Sequence, residues 1–218
     1  MRAATDPEPL ALIVIDAQIE FLTMCEAGSA DTCSAHAALQ GIVRLVHAAR
    51  AAGHPVIFTQ ELHRPELVDF GRELDGNEPV HCLEGAPGTE LVDELRPAAG
   101  EWTIHKRRYS AFFATDLDLL LRGLGVRTIV VCGYLTDVCV HYTCVDAHQH
   151  DYRIRLVRDA CAGSSAPASR ATFAAVEYLQ RDAIITSPRY SASSDLPTAV
   201  PRAPSSPAMH REAAGRRT

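Results

Sequence analysis

The run Thr128-Ile129-Val130-Val131-Cys132 is β-branched, closed by Gly133, and too short to be a buried helix. It reads as a strand covered on both faces, which requires a mostly parallel sheet packed between helices. Residues 10–15, Leu-Ala-Leu-Ile-Val-Ile, repeat the signature and stop at Asp16. Segments of helical spacing separate such runs. Leu39, Ile42, Val43, Leu45, Val46 and Ala49 define an amphipathic helix over 34–52, with Gly53 as its stop. Residues 56–59 and 102–105 are the second and third strands, and Leu117, Leu120, Leu121 and Leu124 place a helix over 115–125. A strand over 154–157 follows, then a helix over 166–181 with Phe173, Val176, Tyr178 and Leu179 towards its buried side, and a short strand at 183–185. Regular β-α alternation with right-handed crossovers predicts a three-layer, Rossmann-like open parallel sheet with helices on both faces.

With 218 residues, 47% of them hydrophobic, the chain can fill a single core. The expected division is an arm at 1–9, one domain over 10–190, and a flexible tail over 191–218 rich in Ser, Pro, Ala and Arg. A net charge of −6 without a basic stripe argues against nucleic acid or an anionic membrane as partner. No segment reaches the roughly 20 apolar residues of a membrane span. Seven cysteines without paired spacing, and no signal peptide before them, predict a reduced cytoplasmic protein. From Gln60 to about Gly100 periodicity gives way to punctuating prolines and glycines, with one short helix near 89–95. Excursions of that length commonly form lids or pocket walls.

Three chemically complementary residues follow predicted strands: Asp16, Lys106 and Cys139. Open parallel sheets bind ligands at the carboxyl ends of their strands, so an acid, a cation and a thiol from distant stretches can converge there. Thr136 fits a helix N-cap, with Cys139 in the first turn, where the helix dipole favours thiolate. Each residue also has a plainer reading. Free cysteines are mostly small buried hydrophobes, Asp16 could cap a turn, and Lys106 stands in the basic cluster Lys106-Arg107-Arg108. Gln18 and Phe21 after the first strand, and Tyr134 before the nucleophile's turn, are the expected substrate contacts. His141, His148 and His150 read as surface residues, and Cys132 and Cys144 as core.

In order and spacing, LIVIDAQIEF with Asp16, KRRYSAFFATDLDLLL with Lys106 and GYLTDVCVHYT with Cys139 resemble the isochorismatase-like cysteine hydrolases. These include nicotinamidases and carbamoylsarcosine, ureidoacrylate and biuret amidohydrolases. The resemblance covers about 10–187 and implies an Asp16-Lys106-Cys139 triad. It also implies a cis peptide before Leu135 and an oxyanion hole from the backbone N–H groups of Leu135 and Cys139. Leu135 departs from the small residue common there. Isochorismatases proper lack the nucleophilic cysteine, so C–N hydrolysis is favoured, and KRRYSAFF and CLEGAPGTEL look most like the biuret- and ureide-cleaving members. Nicotinamidases of the family hold a metal with an Asp-x-His pair and a further nearby His. This chain has Glu61-Leu62-His63 and no further histidine until His81, so no metal or other cofactor is expected. The family implies a homo-oligomer, dimer or tetramer. Two rival functions are an isochorismatase-type hydrolase and a catalytically silent redox-sensing thiol protein.

Overall fold

The computed structural model describes residues 9–28, 35–76 and 78–192. The expected arm and tail thus lie, apart from Pro9, Ser191 and Ala192, outside the described residues. Six strands form one sheet in the order β3-β2-β1-β4-β5-β6, every neighbouring pair parallel. They are β1 Leu10–Ile15, β2 Val56–Glu61, β3 Trp102–Lys106, β4 Thr128–Tyr134, β5 Arg153–Ala162 and β6 Ile184–Ile185. The helices are α1 Ile19–Gly28, α2 Ala35–Ala52, α3 Leu117–Gly123, α4 His141–Gln149, α5 Ala166–Leu179 and α6 Ser187–Ala192. This is the expected three-layer α/β architecture. No described helix is long and apolar enough to cross a membrane.

β1 and β4 are buried along their whole lengths, as their unbroken apolar runs require. α2 lies so close over β5 that a Cβ on Gly41 would sit 2.5 Å from the Asp159 carbonyl. The sheet reverses its winding between β1 and β4, and the carboxyl ends of β3, β2, β1 and β4 stand side by side there.

Several expectations change. Glu20 and Phe21, expected in a loop with Gln18, lie in the first turn of α1, which begins at Ile19, while Gln18 forms an isolated bridge with Leu91. The short helix near 89–95 is two 3₁₀ turns, Pro87–Thr89 and Asp93–Leu95. Tyr178 is 90% exposed, so the buried side of α5 is carried by Phe173 and Val176. β4 does not break at Gly133 but runs on to Tyr134, because glycine can follow the strand's path where other residues cannot. Gly133 has φ +124°, and a Cβ there would lie 2.0 Å from the Ile15 carbonyl oxygen on β1.

Gly133→Ala combines a backbone conformation reserved for glycine with a steric clash inside the sheet. It should lower unfolding free energy by roughly 2–5 kcal/mol, read from urea denaturation with unchanged m-value.

Candidate active site

Four adjacent strand ends each contribute one reactive side chain. Asp16 follows β1, Glu61 ends β2, Lys106 ends β3 opposite Glu61 in register, and Cys139 sits in the turn after β4. Lys106 Nζ lies 2.8 Å from Asp16 Oδ2, 2.9 Å from Glu61 Oε2 and 3.4 Å from Cys139 Sγ. It also donates to the Arg108 carbonyl at 3.0 Å. The Asp16 contact is ionic without hydrogen-bond alignment, since Asp16 Oδ2 has no hydrogen-bond partner by angle. Asp16 is fixed by Thr59, whose hydroxyl donates to Oδ1 at 2.6 Å and accepts from the Asp16 N–H at 3.1 Å. Its backbone is turned to φ 43°, a region that only a few per cent of non-glycine residues adopt.

The turn that carries Cys139 is a π-helical one, Thr136–Val140, running straight into α4. Thr136 is therefore not an N-cap: Leu135 holds that position and the Thr136 hydroxyl is buried without a hydrogen bond. The Tyr134–Leu135 peptide is cis, and the Leu135 carbonyl accepts from the Val138 and Val140 N–H groups at 3.1 Å each. Leu135 and Cys139 thus belong to one turn beside the thiol.

The electrostatics also differ from the expected thiolate. Burial pushes the Cys139 thiol well above its ordinary value, with Glu61 reinforcing the shift and Lys106 opposing it. Burial outweighs a dipole acting from one helical turn, which favours the neutral thiol over the expected thiolate. Burial raises Asp16, against Lys106 and with help from Glu61. Glu61 is likewise pushed up by burial, but Lys106, His63 and His81 overcome that and hold it well below the usual carboxylate range. Lys106 stays cationic: burial pulls it down, and Asp16, Cys139 and Glu61 raise it further.

Two of the expected substrate contacts are corrected. The Gln18 side-chain amide is saturated by backbone, donating to the Glu61 and Thr89 carbonyls at 3.0 and 2.9 Å and accepting from the Glu61 N–H at 2.8 Å. Tyr134 is buried with its hydroxyl donating to the Ala35 carbonyl of α2 at 2.7 Å, so it belongs to the core. Phe21 does lie beside the site, packed edge-on against His81. Arg107 is no free surface cation either: it bonds the Leu62 carbonyl and Glu84 and so ties down the excursion.

No metal was expected, yet the described residues include a group that could hold one. The excursion doubles back so that His63 pairs with Leu83 as a parallel bridge, bringing His81 beside His63. Glu61, His63, Glu73 and His81 each direct a ligand atom into one buried space, all within 4.8 Å of one another. His81 Nδ1 donates to the Pro79 carbonyl at 2.8 Å, which leaves Nε2 facing Glu61 Oε1 at 3.8 Å. His63 Nε2 lies 3.3 Å from Glu61 Oε1 and 3.5 Å from Glu73 Oε2. His81 Nε2 and both Glu73 oxygens are buried without hydrogen bonds, and burial raises Glu73 to about 7. Two imidazoles and two carboxylates with orphaned donor atoms suit zinc or a similar divalent ion. Sequence reading missed the set because a long excursion separates His81 from His63. Glu61 ends the observed β2, which runs two residues beyond the strand expected at 56–59, so the positional rule that found Asp16 and Lys106 stopped short of it.

A family model described as the isochorismatase domain matches residues 10–188. The chain belongs to this family. Among its relatives is a ureidoacrylate amidohydrolase RutB of Methylorubrum extorquens, 32% identical, the match covering 74% of this chain and 76% of the relative. The crystal structure of N-carbamoylsarcosine amidase from Thermoplasma acidophilum is 32% identical with a TM-score of 0.68, over 82% of this chain and 96% of that one. The pyrazinamidase of Pyrococcus horikoshii, solved in complex with zinc, is 27% identical with a TM-score of 0.68, over 81% and 97% of the two chains.

Metal-stripped protein titrated with zinc in a calorimeter should bind about one equivalent. His81→Ala should weaken that binding by about 10-fold or more; equal uptake by the variant would place the zinc elsewhere.

Proposed function

We propose that the protein is a cysteine-dependent amidohydrolase that cleaves a C–N bond of a small linear amide or ureide and releases ammonia. The observation that carries this reading is a buried thiol within 3.4 Å of a buried ammonium that is itself held between two carboxylates. Such a set suits acyl transfer: a nucleophile, a fixed positive charge and acid–base groups in a site closed to water. Cys139, Asp16, Glu61 and Lys106 are all 0–1% exposed, so charge developing on a substrate oxygen would meet little solvent screening. The relatives named for ureidoacrylate and N-carbamoylsarcosine support amide or ureide carbonyls as the substrate class.

In this reading Cys139 Sγ adds to the carbonyl carbon and its proton passes to the carboxylate pair. The backbone N–H groups of Leu135 and Cys139 and the Lys106 ammonium stabilise the oxyanion. The C–N bond then breaks, ammonia leaves with the returned proton, and water activated by Asp16 hydrolyses the thioester. A metal held by Glu61, His63, Glu73 and His81 would supply Lewis-acid polarisation or anchoring of a substrate donor atom. The enzyme is further taken to work in the cytoplasm as a dimer or tetramer, which sedimentation would read directly. Isochorismatase activity is disfavoured by the presence of Cys139.

A panel of amides, ureides and carbamoyl amino acids assayed for ammonia, with isochorismate as the control, tests the proposal. No ammonia from any member, or turnover of isochorismate alone, would contradict it. Cys139→Ala and Cys139→Ser should each lose about 10³-fold or more in kcat/KM without loss of fold. Lys106→Ala should cost on the order of 10²–10³, and Lys106→Arg should not restore activity because the planar guanidinium does not fit a point-charge position between two carboxylates.

A further inference from the structure

The turn that carries Cys139 is held from behind as well as from the crevice. On the crevice side the thiol has its own neighbours, Lys106 Nζ at 3.4 Å and Glu61 Oε2 at 3.2 Å. The Cys139 N–H is oriented differently. The Leu135 carbonyl takes the N–H groups of Val138 and Val140 and passes over that of Cys139 between them, so its direction follows the backbone of the turn. Behind the turn, Asp137 Oδ1 accepts from the Ser164 N–H at 2.8 Å, and the Ser164 hydroxyl donates to Oδ2. Ser164 lies in the connection from β5 to α5, and the next residue, Ser165, caps α5 by accepting from the Ala168 N–H at 3.3 Å. The anchor is therefore the start of a helix. Its fit is close: a Cβ on Gly163 would overlap Asp137 Oδ1, approach Ser169 Oγ to 2.5 Å and come within 3.1 Å of Thr136 Cβ. Further along, His141 Nδ1 and the Thr172 hydroxyl, 3.2 Å apart, join α4 to α5 a second time.

We propose that Asp137 is a positioning residue, whose carboxylate fixes the Thr136–Val140 turn against the start of α5 and so aims the Cys139 N–H at the substrate oxygen. This role rests on the reading of that N–H as part of the oxyanion hole and adds what orients it. Asp137 stands two positions before Cys139, too short a span for a packed turn to absorb a shift. An amide can keep both bonds, accepting from the Ser164 N–H through Oδ1 and donating to Ser164 Oγ through Nδ2, whereas a methyl group keeps neither.

The test uses the full chain and propionaldehyde, whose addition to a thiol requires no amide hydrolysis. The S–C bond forms, the carbonyl π pair moves onto oxygen, and that oxygen takes the proton that sulfur gives up. Affinity is read as protection of Cys139 against methyl methanethiosulfonate, followed by peptide mass spectrometry. That reagent transfers its CH3S group to sulfur, expels methanesulfinate and has no carbonyl oxygen to place in the hole. Asp137→Ala should weaken aldehyde protection by about tenfold or more, with the unprotected modification rate within about threefold of the parent. Asp137→Asn should match the parent in both. Ser164→Ala, which loses one bond of the two, should show the same selective loss on a smaller scale. Protection unchanged in Asp137→Ala, or reduced by the same factor as the modification rate, overturns the proposal, as does a loss that Asp137→Asn shares. In turnover, Asp137→Ala should lower kcat on the order of 10²-fold with KM within about threefold. If the aldehyde results hold and no amide is hydrolysed, the amidohydrolase reading fails while the positioning role stands.

Discussion

One fully buried ammonium, that of Lys106, sets the terms for the whole carboxyl edge of the sheet. Removing an ion from water costs several kcal/mol even after relaxation, and a buried cation persists only with well-placed anions around it. Asp16 and Glu61 supply them at 2.8 and 2.9 Å. Either carboxylate alone would be buried charge without compensation, so the three groups must arrive together. They can do so because β3, β2, β1 and β4 are neighbours, with Ile15 opposite Gly133 and Glu61 opposite Lys106 in register. The bare backbone of Gly133 allows β1 and β4 to approach, and the turn after β4 then sets Cys139 above the cation.

The excursion after β2 completes what the sheet begins. It is anchored at the strand ends by the Val92 N–H on the Ala17 carbonyl, by the Gln18 amide on the Thr89 carbonyl and by the Glu20 carboxylate accepting from the Cys82 N–H, while the His63–Leu83 bridge closes it on itself. Phe70 stacks on His63 with 3.8 Å between ring centroids, closing the roof over the acids. The segment that carries no regular periodicity is thus the one that dries the site and provides three of the four groups able to hold a metal. Dryness also explains why the neutral thiol is favoured: the same burial that strengthens each ion pair disfavours an additional anion.

Much of this was legible in the chain. Continuous apolar runs identified the strands, and the rule that strand carboxyl ends carry the chemistry placed Asp16, Lys106 and Cys139 in one crevice. What the sequence concealed depended on direction or on long-range closure. Nothing local tells that Tyr134 turns towards α2 or that the Gln18 amide faces backbone, so both resembled substrate contacts. His81 joins His63 only through the doubling back of a segment without periodicity. The ionisation of Cys139 failed for a related reason, since a helix-start argument counts one turn and omits Glu61, a contact separated by 78 positions. Local patterning gave no helix over Ile19–Gly28 either, where α1 packs against the 3₁₀ turn Pro87–Thr89 of the excursion.

The central claim is that acyl transfer passes through a thioester on Cys139, and partitioning of a common intermediate tests it most directly. Two amides with the same acyl group and different leaving amines, both hydrolysed by the enzyme, are turned over in the presence of hydroxylamine. A shared thioester predicts one ratio of hydroxylamine adduct to acid for both substrates, with ammonia or amine release equal to their sum. Ratios that differ with the leaving amine, or no adduct at any hydroxylamine concentration, would contradict it.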